Sequence, residues 1–421
     1  FFIFTLHNKY LYLMKFKVPL SITLVVITMF LGCHNIPGKH TEQPYLIVLS
    51  LDGFRWDYPE KAYTPTLDSL ANAGSRAESI IPCFPTKTFP NHYSIATGLY
   101  PDNHGLVLNN FYATDLKREY SVYKRETVQD GAFYGGTPIW NAAESNGIKS
   151  ATMFWVGSAA DINDSKPSIW MEYNKQLSLD SRIDTLVNWL TLPENIRPHF
   201  IMWYYYEPDT QGHIHGPNSP QVIEEIEKLD DFLSQFFTAM RKLPEFDKLN
   251  FIITSDHGMS EISLEREIFI DHLVDTSLIA FVDGGNPIMN IKAKEGKTDE
   301  VYQMLLNSGT NLKAWKHGQL PEHLNYGQNI RTQDITVVAD SSWSIGFSWQ
   351  KYDGRGTHGY DNSIRDMHAI FYASGPAFKD NYLHPQFNNI DIYPLMGNIL
   401  DIELPANDGN MDNVIDLLKL N

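Results

Sequence analysis

Tyr45-Leu46-Ile47-Val48-Leu49-Ser50-Leu51-Asp52-Gly53 is a near-continuous apolar run that ends on a carboxylate, and it opens the body of this 421-residue chain. The pattern returns twice. Phe200-Ile201-Met202-Trp203-Tyr204-Tyr205-Tyr206 runs into Glu207-Pro208-Asp209, with His213 four residues on, and Phe251-Ile252-Ile253-Thr254-Ser255 runs into Asp256-His257-Gly258. Runs without polar alternation belong to strands covered on both faces, the habit of parallel sheets. Ligands of such sheets bind beyond the carboxyl ends of the strands. Asp52, Asp209, His213, Asp256 and His257 are therefore expected to meet at one edge, where carboxylate and imidazole together suit a hard or borderline metal.

Helical patterns separate these runs. Thr66 to Ala73 carries Leu67, Leu70 and Ala71 at helical spacing. Thr137-Pro138 reads as a cap and first-turn proline before Ile139, Trp140 and Ala143, with Gly147 as the stop. Ser181 to Leu190 reads as a helix, and Ser219-Pro220 opens a long one with Val222, Ile226, Leu229, Leu233 and Phe236 on one stripe. Ser150 to Val156 and His368 to Ala373 read as further strands. The alternation predicts an α/β fold: a doubly wound, mostly parallel sheet with helices on both faces. From about 280 to 345 the rhythm breaks, and Pro287 to Ala293, Thr298 to Leu306 and Asp334 to Ala339 predict a small α+β insertion.

Asp and Glu number 50 against 33 Lys and Arg, a formal charge of −17 that argues against a nucleic-acid duplex as partner. Residues 1–33 are set apart from the fold as an upstream segment and a lipoprotein signal peptide. Met14-Lys15-Phe16-Lys17 is a basic start, Val18 to Leu31 an apolar stretch short for a membrane span, and Leu31-Gly32-Cys33 resembles a bacterial lipobox. The expected product is exported and held to a bacterial membrane by lipid on Cys33, in the periplasm or at the cell surface. Residues 34–44 read as a tether, 45–410 as the body and 411–421 as a C-terminal segment. With Cys33 lipidated, Cys83 has no partner for a disulfide and reads as a small buried hydrophobe.

Pro90 or Asn91 is expected to start a helix, with Thr88 just ahead of its N-terminus. Unpaired N–H groups and the positive dipole end there suit an oxygen nucleophile and the phosphate it attacks, although most threonines ahead of a helix are ordinary caps. The longer context adds to this. Thr86-Lys87-Thr88-Phe89-Pro90-Asn91-His92-Tyr93, followed by Gly98-Leu99-Tyr100-Pro101-Asp102-Asn103-His104-Gly105, resembles the nucleotide pyrophosphatase/phosphodiesterase family of the alkaline phosphatase superfamily. Leu51-Asp52-Gly53-Phe54-Arg55, Glu207-Pro208-Asp209 with Gly212-His213 and Gly216-Pro217, Ser255-Asp256-His257-Gly258-Met259, Val337-Val338-Ala339-Asp340 and Gly356-Thr357-His358-Gly359-Tyr360 extend the resemblance over about 45 to 405.

The resemblance implies an alkaline phosphatase-like core with two Zn²⁺ per chain. One would be held by Asp209, His213 and His358, the other by Asp52, Asp256 and His257, with Thr88 as the nucleophile bridging toward the pair. Two metals roughly 4 Å apart can clamp both oxygens of an in-line phosphoryl displacement. Asn109 is implied as an amide on a phosphate oxygen, with Asn110 the weaker candidate. Phe89, Tyr173 and Tyr205 are implied as pocket aromatics, Tyr173 stacking on a base. His92 and His104 read as structural partners, and His215 as a group outside the ligand set. Val156 stands where many members have proline, which bears on pocket shape. The implied reaction is hydrolysis of nucleotide phosphodiesters or pyrophosphates through a covalent threonyl intermediate, releasing a nucleoside monophosphate from a small-molecule substrate. The alternatives are choline-type lipid phosphodiesters, and a lipoprotein that binds metal and ligand without turnover. A sulfatase is disfavoured by the lack of Cys or Ser in the nucleophile motif.

Overall fold

The computed structural model describes residues 43–350 and 352–419. The expected signal segment, Cys33 and nearly all of the tether lie outside the described residues. Among the described residues, Tyr45–Leu51 is an inner strand of an eight-stranded sheet. The order across the sheet is Tyr382–His384, Gly74–Ala77, Phe371–Ser374, Leu249–Thr254, Tyr45–Leu51, Phe200–Tyr205, Ser150–Met153 and Ile169–Met171. Tyr45–Leu51 lies parallel to both neighbours, with Leu46 opposite Phe200 and Tyr45 opposite Leu249. Phe371–Ser374 runs antiparallel to both of its own neighbours, which makes the sheet mostly rather than wholly parallel.

The seven residues of Tyr45–Leu51 are all buried, which is why polar alternation is missing. Leu46 and Val48 face one core with Phe200 and Met202, while Tyr45, Ile47, Leu49 and Leu51 face the other with Ile201 and Trp203. Helices Thr88–Thr97, Ile139–Ser145 and Ile392–Leu400 close the first core. Pro65–Ala73, Leu179–Leu190 and Pro220–Met240 close the second. The long helix starts as its sequence predicts: Pro220 stands in the first turn and the Ser219 hydroxyl accepts from the Val222 N–H at 3.3 Å. Val414, Leu417 and Leu418 are buried in the first core, so the segment after 410 packs with the body.

Three local expectations shift. Pro138 takes the cap position itself and the helix begins at Ile139. The strand from Ser150 stops at Met153, because Phe154 adopts φ +66° and turns the chain away. The last core strand starts at Phe371, since Ala369 instead bridges Arg55 and Ile80.

Residues from 279 to 339 build a second, four-stranded antiparallel sheet of Ile279–Gly285, Ile288–Ala293, Ile335–Ala339 and Leu312–Lys316, covered by the helix Thr298–Leu306. Ile291, Val301, Leu305 and Val337 belong to a third core that the sheet shares with Ile268, Ile345 and Met367. Arg331 ties it to the main body: Nη1 donates to the carbonyls of Gly105 (2.9 Å) and Phe133 (2.8 Å), and Nη2 to Asp115 (2.7 Å). No helix among the described residues is long and apolar enough to cross a membrane.

Candidate active site

The ends of the three parallel strands are stitched together by the backbone. The Asp209 N–H donates to the Asp52 carbonyl at 3.0 Å, and the Gly53 N–H to Asp256 Oδ1 at 3.1 Å. Gly53 sits at φ +67°, and a Cβ there would lie 2.9 Å from Asp209 Cα. Glycine is thus required twice over, by the left-handed backbone and by the close approach.

Two groups of metal-ligating atoms result: Asp209, His213 and His358, and Asp52, Asp256 and His257, each with its ligand atoms within 4.8 Å of one another. Asp209 and His213 are four residues apart at the start of helix Asp209–His215 and so share a face. Each histidine is held from behind. Nδ1 of His213 meets the Gly356 carbonyl at 2.9 Å, Nδ1 of His257 the Gly258 carbonyl at 2.8 Å, and Nδ1 of His358 the Thr86 carbonyl at 2.7 Å. A carbonyl can only accept, so the proton belongs on Nδ1 and the Nε2 lone pair points into the site. Those lone pairs face acceptors: His213 Nε2 lies 3.2 Å from His358 Nε2, and His257 Nε2 lies 3.0 Å from Asp256 Oδ2. Buried Asp52 Oδ1, Asp209 Oδ1 and Asp256 Oδ2 have no hydrogen-bond partner. Buried acceptors facing one another without donors are costly unless a cation lies between them. The donor set therefore fits metal, and three nitrogens with three carboxylates are what Zn²⁺ favours.

The protonation of the groups follows. Burial, then Asp256 and Asp209, push the Asp52 carboxyl well up, while Tyr204 opposes by donating its hydroxyl to Asp52 Oδ2 at 2.6 Å. Burial acts in the same direction on Asp256, but positive charge on His257 or His92 beside it holds that carboxyl well below its usual value, a role that a bound cation would take over. Burial pulls the Lys87 ammonium down to about 7, with Asp209 opposing.

Thr88 is the first residue of helix Thr88–Thr97, so the helix begins two to three residues earlier than the sequence suggests. Lys87 occupies the cap position, and buried Asn91 explains the shift. Its side chain accepts from the Cys83 N–H (2.7 Å) and donates to the Pro85 and Lys87 carbonyls (both 2.9 Å), pinning the loop that enters the helix. Thr88 Oγ lies 3.2 Å from His257 Nε2. The Phe89 N–H is taken by Asn109 Oδ1 at 3.1 Å, which leaves the Asn109 amide N–H groups to point elsewhere. Asn110 instead accepts from Ser121 Oγ at 2.6 Å. His92 is fully buried between Ser50 Oγ (2.9 Å) and the Thr88 carbonyl (2.9 Å), and His104 between Ser94 and Pro90, both as structural partners. His215 is exposed on the helix end.

Beside Thr88 opens an aromatic cleft of about 410 Å³ bordered by Phe89, Tyr173, Tyr204, Phe154 and Val156. Tyr205 is not part of it. It is buried in the second core with its ring 6.4 Å from Phe232, because alternate strand residues face opposite sides of the sheet. The neighbour Tyr204 is the one that reaches the site, a residue the sequence reading missed although strand parity with Phe200 and Met202 could have found it.

Known proteins resemble this chain over most of its length. The family model described as Type I phosphodiesterase / nucleotide pyrophosphatase matches residues 46–361. The chain belongs to that family. It is 36% identical to human ectonucleotide pyrophosphatase/phosphodiesterase family member 5, over 90% of this chain and 79% of that protein. It is likewise 36% identical to the venom phosphodiesterase CdcPDE of Crotalus durissus collilineatus over 92% of this chain, and spans only 48% of that relative's length. Murine family member 5, solved as an inactive threonine-to-alanine variant in complex with AMP, superposes with a TM-score of 0.86 at 34% identity, covering 90% of this chain and all of that one. Like its relatives, this member of the phosphodiesterase/pyrophosphatase family is a hydrolase with an alkaline phosphatase-like α/β fold.

Proposed function

We propose that this chain is a two-zinc phosphodiesterase that cleaves nucleotide phosphodiester or pyrophosphate bonds through a threonyl intermediate and releases nucleoside monophosphate. The observation that carries the reading is the pair of ligand groups, one buried and one partly exposed, beside a threonine that opens a helix. The AMP bound by the murine relative is the product that such a reaction would leave. Bound Zn²⁺ would lower the pKa of the attacking hydroxyl and offset charge on the phosphate. The chain's own residues do the rest. Phe89 and Tyr173 offer flat faces to a base, and the Asn109 amide donates to a phosphate oxygen as charge develops. Thr88 Oγ bonds to phosphorus while the bond from phosphorus to the leaving oxygen breaks; that oxygen keeps the electron pair, and the Thr88 proton goes to solvent. Water then cleaves the threonyl ester, its oxygen joining phosphorus and a hydrogen returning to Thr88. Export and anchoring through lipid on Cys33 belong to the same proposal.

The test is a substrate panel on purified protein with elemental analysis alongside. Two zinc ions per chain are expected, with nucleotide esters preferred over phosphate monoesters and glycerophosphocholine. Thr88→Ala should lose nearly all turnover while keeping both metals, and Thr88→Ser should retain part. One metal per chain, near-normal turnover in Thr88→Ala, or a preference for glycerophosphocholine overturns the proposal.

A further inference from the structure

Arg182 stands near the start of helix Leu179–Leu190 and is 0% exposed. A guanidinium this deep is costly unless a carboxylate or a full set of acceptors meets it. Among the described residues no carboxylate pairs with Arg182. Nε donates to the Leu177 carbonyl at 3.0 Å and Nη1 to the Tyr204 carbonyl at 3.1 Å, while buried Nη2 has no hydrogen-bond partner. The guanidinium carbon lies 4.8 Å from the centre of the Phe154 ring and 5.0 Å from that of Tyr205. All of these partners but Tyr205 belong to segments that build the aromatic cleft. Phe154 and Tyr204 border it, and Leu177 lies on the loop that carries Tyr173 into the helix. Tyr173 is 52% exposed, so no core fixes its ring. What stands behind it is Phe154, edge-on at 5.5 Å, and Tyr204 at 6.3 Å. Phe154 in turn holds φ +66°, a left-handed backbone that a bulky aromatic adopts only where its surroundings enforce it.

We infer that Arg182 is the positioning residue of the cleft wall: by clamping Phe154, the Tyr204 backbone and the loop after Tyr173, it holds the Tyr173 ring where a base can stack. It thereby sets the preference for nucleoside esters over small diesters without touching substrate. This deepens the proposed function and rests on it. The residue type follows from the geometry. A planar fork projects its N–H groups in fixed directions, so one side chain reaches carbonyls on two separate segments while its flat faces lie against rings. Methionine fills a similar volume and offers no donor. Lysine donates from a single nitrogen and has no flat face. Either change releases the Tyr173 loop at Leu177 and removes the support behind Phe154. The metal ligands are spared, because Arg182 binds Tyr204 through its carbonyl and leaves the Tyr204 hydroxyl on Asp52.

The experiment compares two substrates that share a leaving group: the nitrophenyl ester of a nucleoside monophosphate, and methyl nitrophenyl phosphate, which has no base. A loss of folded or metal-loaded enzyme falls on both and cancels in the ratio of their kcat/KM values. Arg182→Met should lower the ratio of nucleoside to methyl ester about tenfold, through KM for the nucleoside ester with kcat kept within about twofold. Arg182→Lys should lose about threefold, and it decides the matter by the same ratio if circular dichroism shows that Arg182→Met does not fold. In a Tyr173→Ala background the Arg182 change should cost nothing further, since the ring it positions is gone. An unchanged ratio in the folded variant, or a loss that multiplies with that of Tyr173→Ala, overturns the inference while the phosphodiesterase reading stands. Failure of the unmodified enzyme to turn over either ester removes that reading, and the inference with it.

Discussion

Tyr204→Phe removes a single oxygen and should weaken metal binding without disturbing the cleft. The Tyr204 hydroxyl donates to Asp52 Oδ2 at 2.6 Å, with Asp52 only 2% exposed. A hydrogen bond to a charged group contributes about 1.5–3 kcal/mol. At about 1.4 kcal/mol per decade that is one to two decades of affinity, in line with the 10–100-fold cost usual for outer partners of metal ligands. The sign follows from Asp52 itself. Burial and the Asp256 and Asp209 charges already push its carboxyl up, and Tyr204 is the group pulling it back. Without that donor Asp52 takes up a proton more readily, so the proton competes with metal, and the loss should grow as pH falls. The phenyl ring keeps its place 6.3 Å from Tyr173, so the cleft wall survives. The assay is competition for Zn²⁺ against a chromogenic chelator over a series of pH values, with circular dichroism as the check on folding. An affinity within twofold of the unmodified protein, in a variant that folds normally, would refute the idea that this hydroxyl tunes the site.

Tyr173 is 52% exposed at the mouth of the aromatic cleft, so Tyr173→Ala should cost no stability. It should raise KM about tenfold for nucleotide substrates and far less for a small nitrophenyl diester, since only the former has a base to stack; equal changes in steady-state kinetics would count against it. Asp283 is a buried carboxylate pushed up to about 6 by burial, against the opposing hydrogen bonds from Tyr112 and Gln333. Its folded-state value lies above the unfolded one, so the folded state binds the proton more tightly. The protein should therefore lose stability as pH rises from about 4 to about 6 relative to Asp283→Asn, by roughly 3 kcal/mol at most. Urea melts of both proteins at a series of pH values measure it, and parallel pH profiles would contradict it.

Much of the core was readable because burial on both faces writes itself into composition: Tyr45–Leu51 needs apolar side chains at nearly every position, whichever way each one points. The same fact hid the orientation of individual residues. Where both faces are apolar, composition does not say whether Tyr204 or Tyr205 meets the site; only parity with Phe200 and Met202 separates them, and the pocket tyrosine was assigned one residue too far along. The helix start at Thr88 was misplaced for a related reason. Pro90 looks like a first-turn residue, yet the buried Asn91 side chain, bonded to the Pro85 and Lys87 carbonyls, draws the first turn back to Thr88.

By itself the sequence determined the fold class, the three strand ends that carry carboxylates, and the residue types able to ligate metal, since these depend on local pattern and on chemistry each side chain carries alone. Only the tertiary structure decided how those groups face one another. It showed the Nε2 atoms of His213, His257 and His358 aimed at unpartnered carboxylate oxygens, the Tyr204 hydroxyl on Asp52, and the aromatic cleft beside Thr88. The reason is distance: Asp52, Tyr204, Asp256 and His358 are spread over more than three hundred residues of chain, and only packing of the sheet and its insertion sets the few ångströms on which metal binding and substrate choice depend.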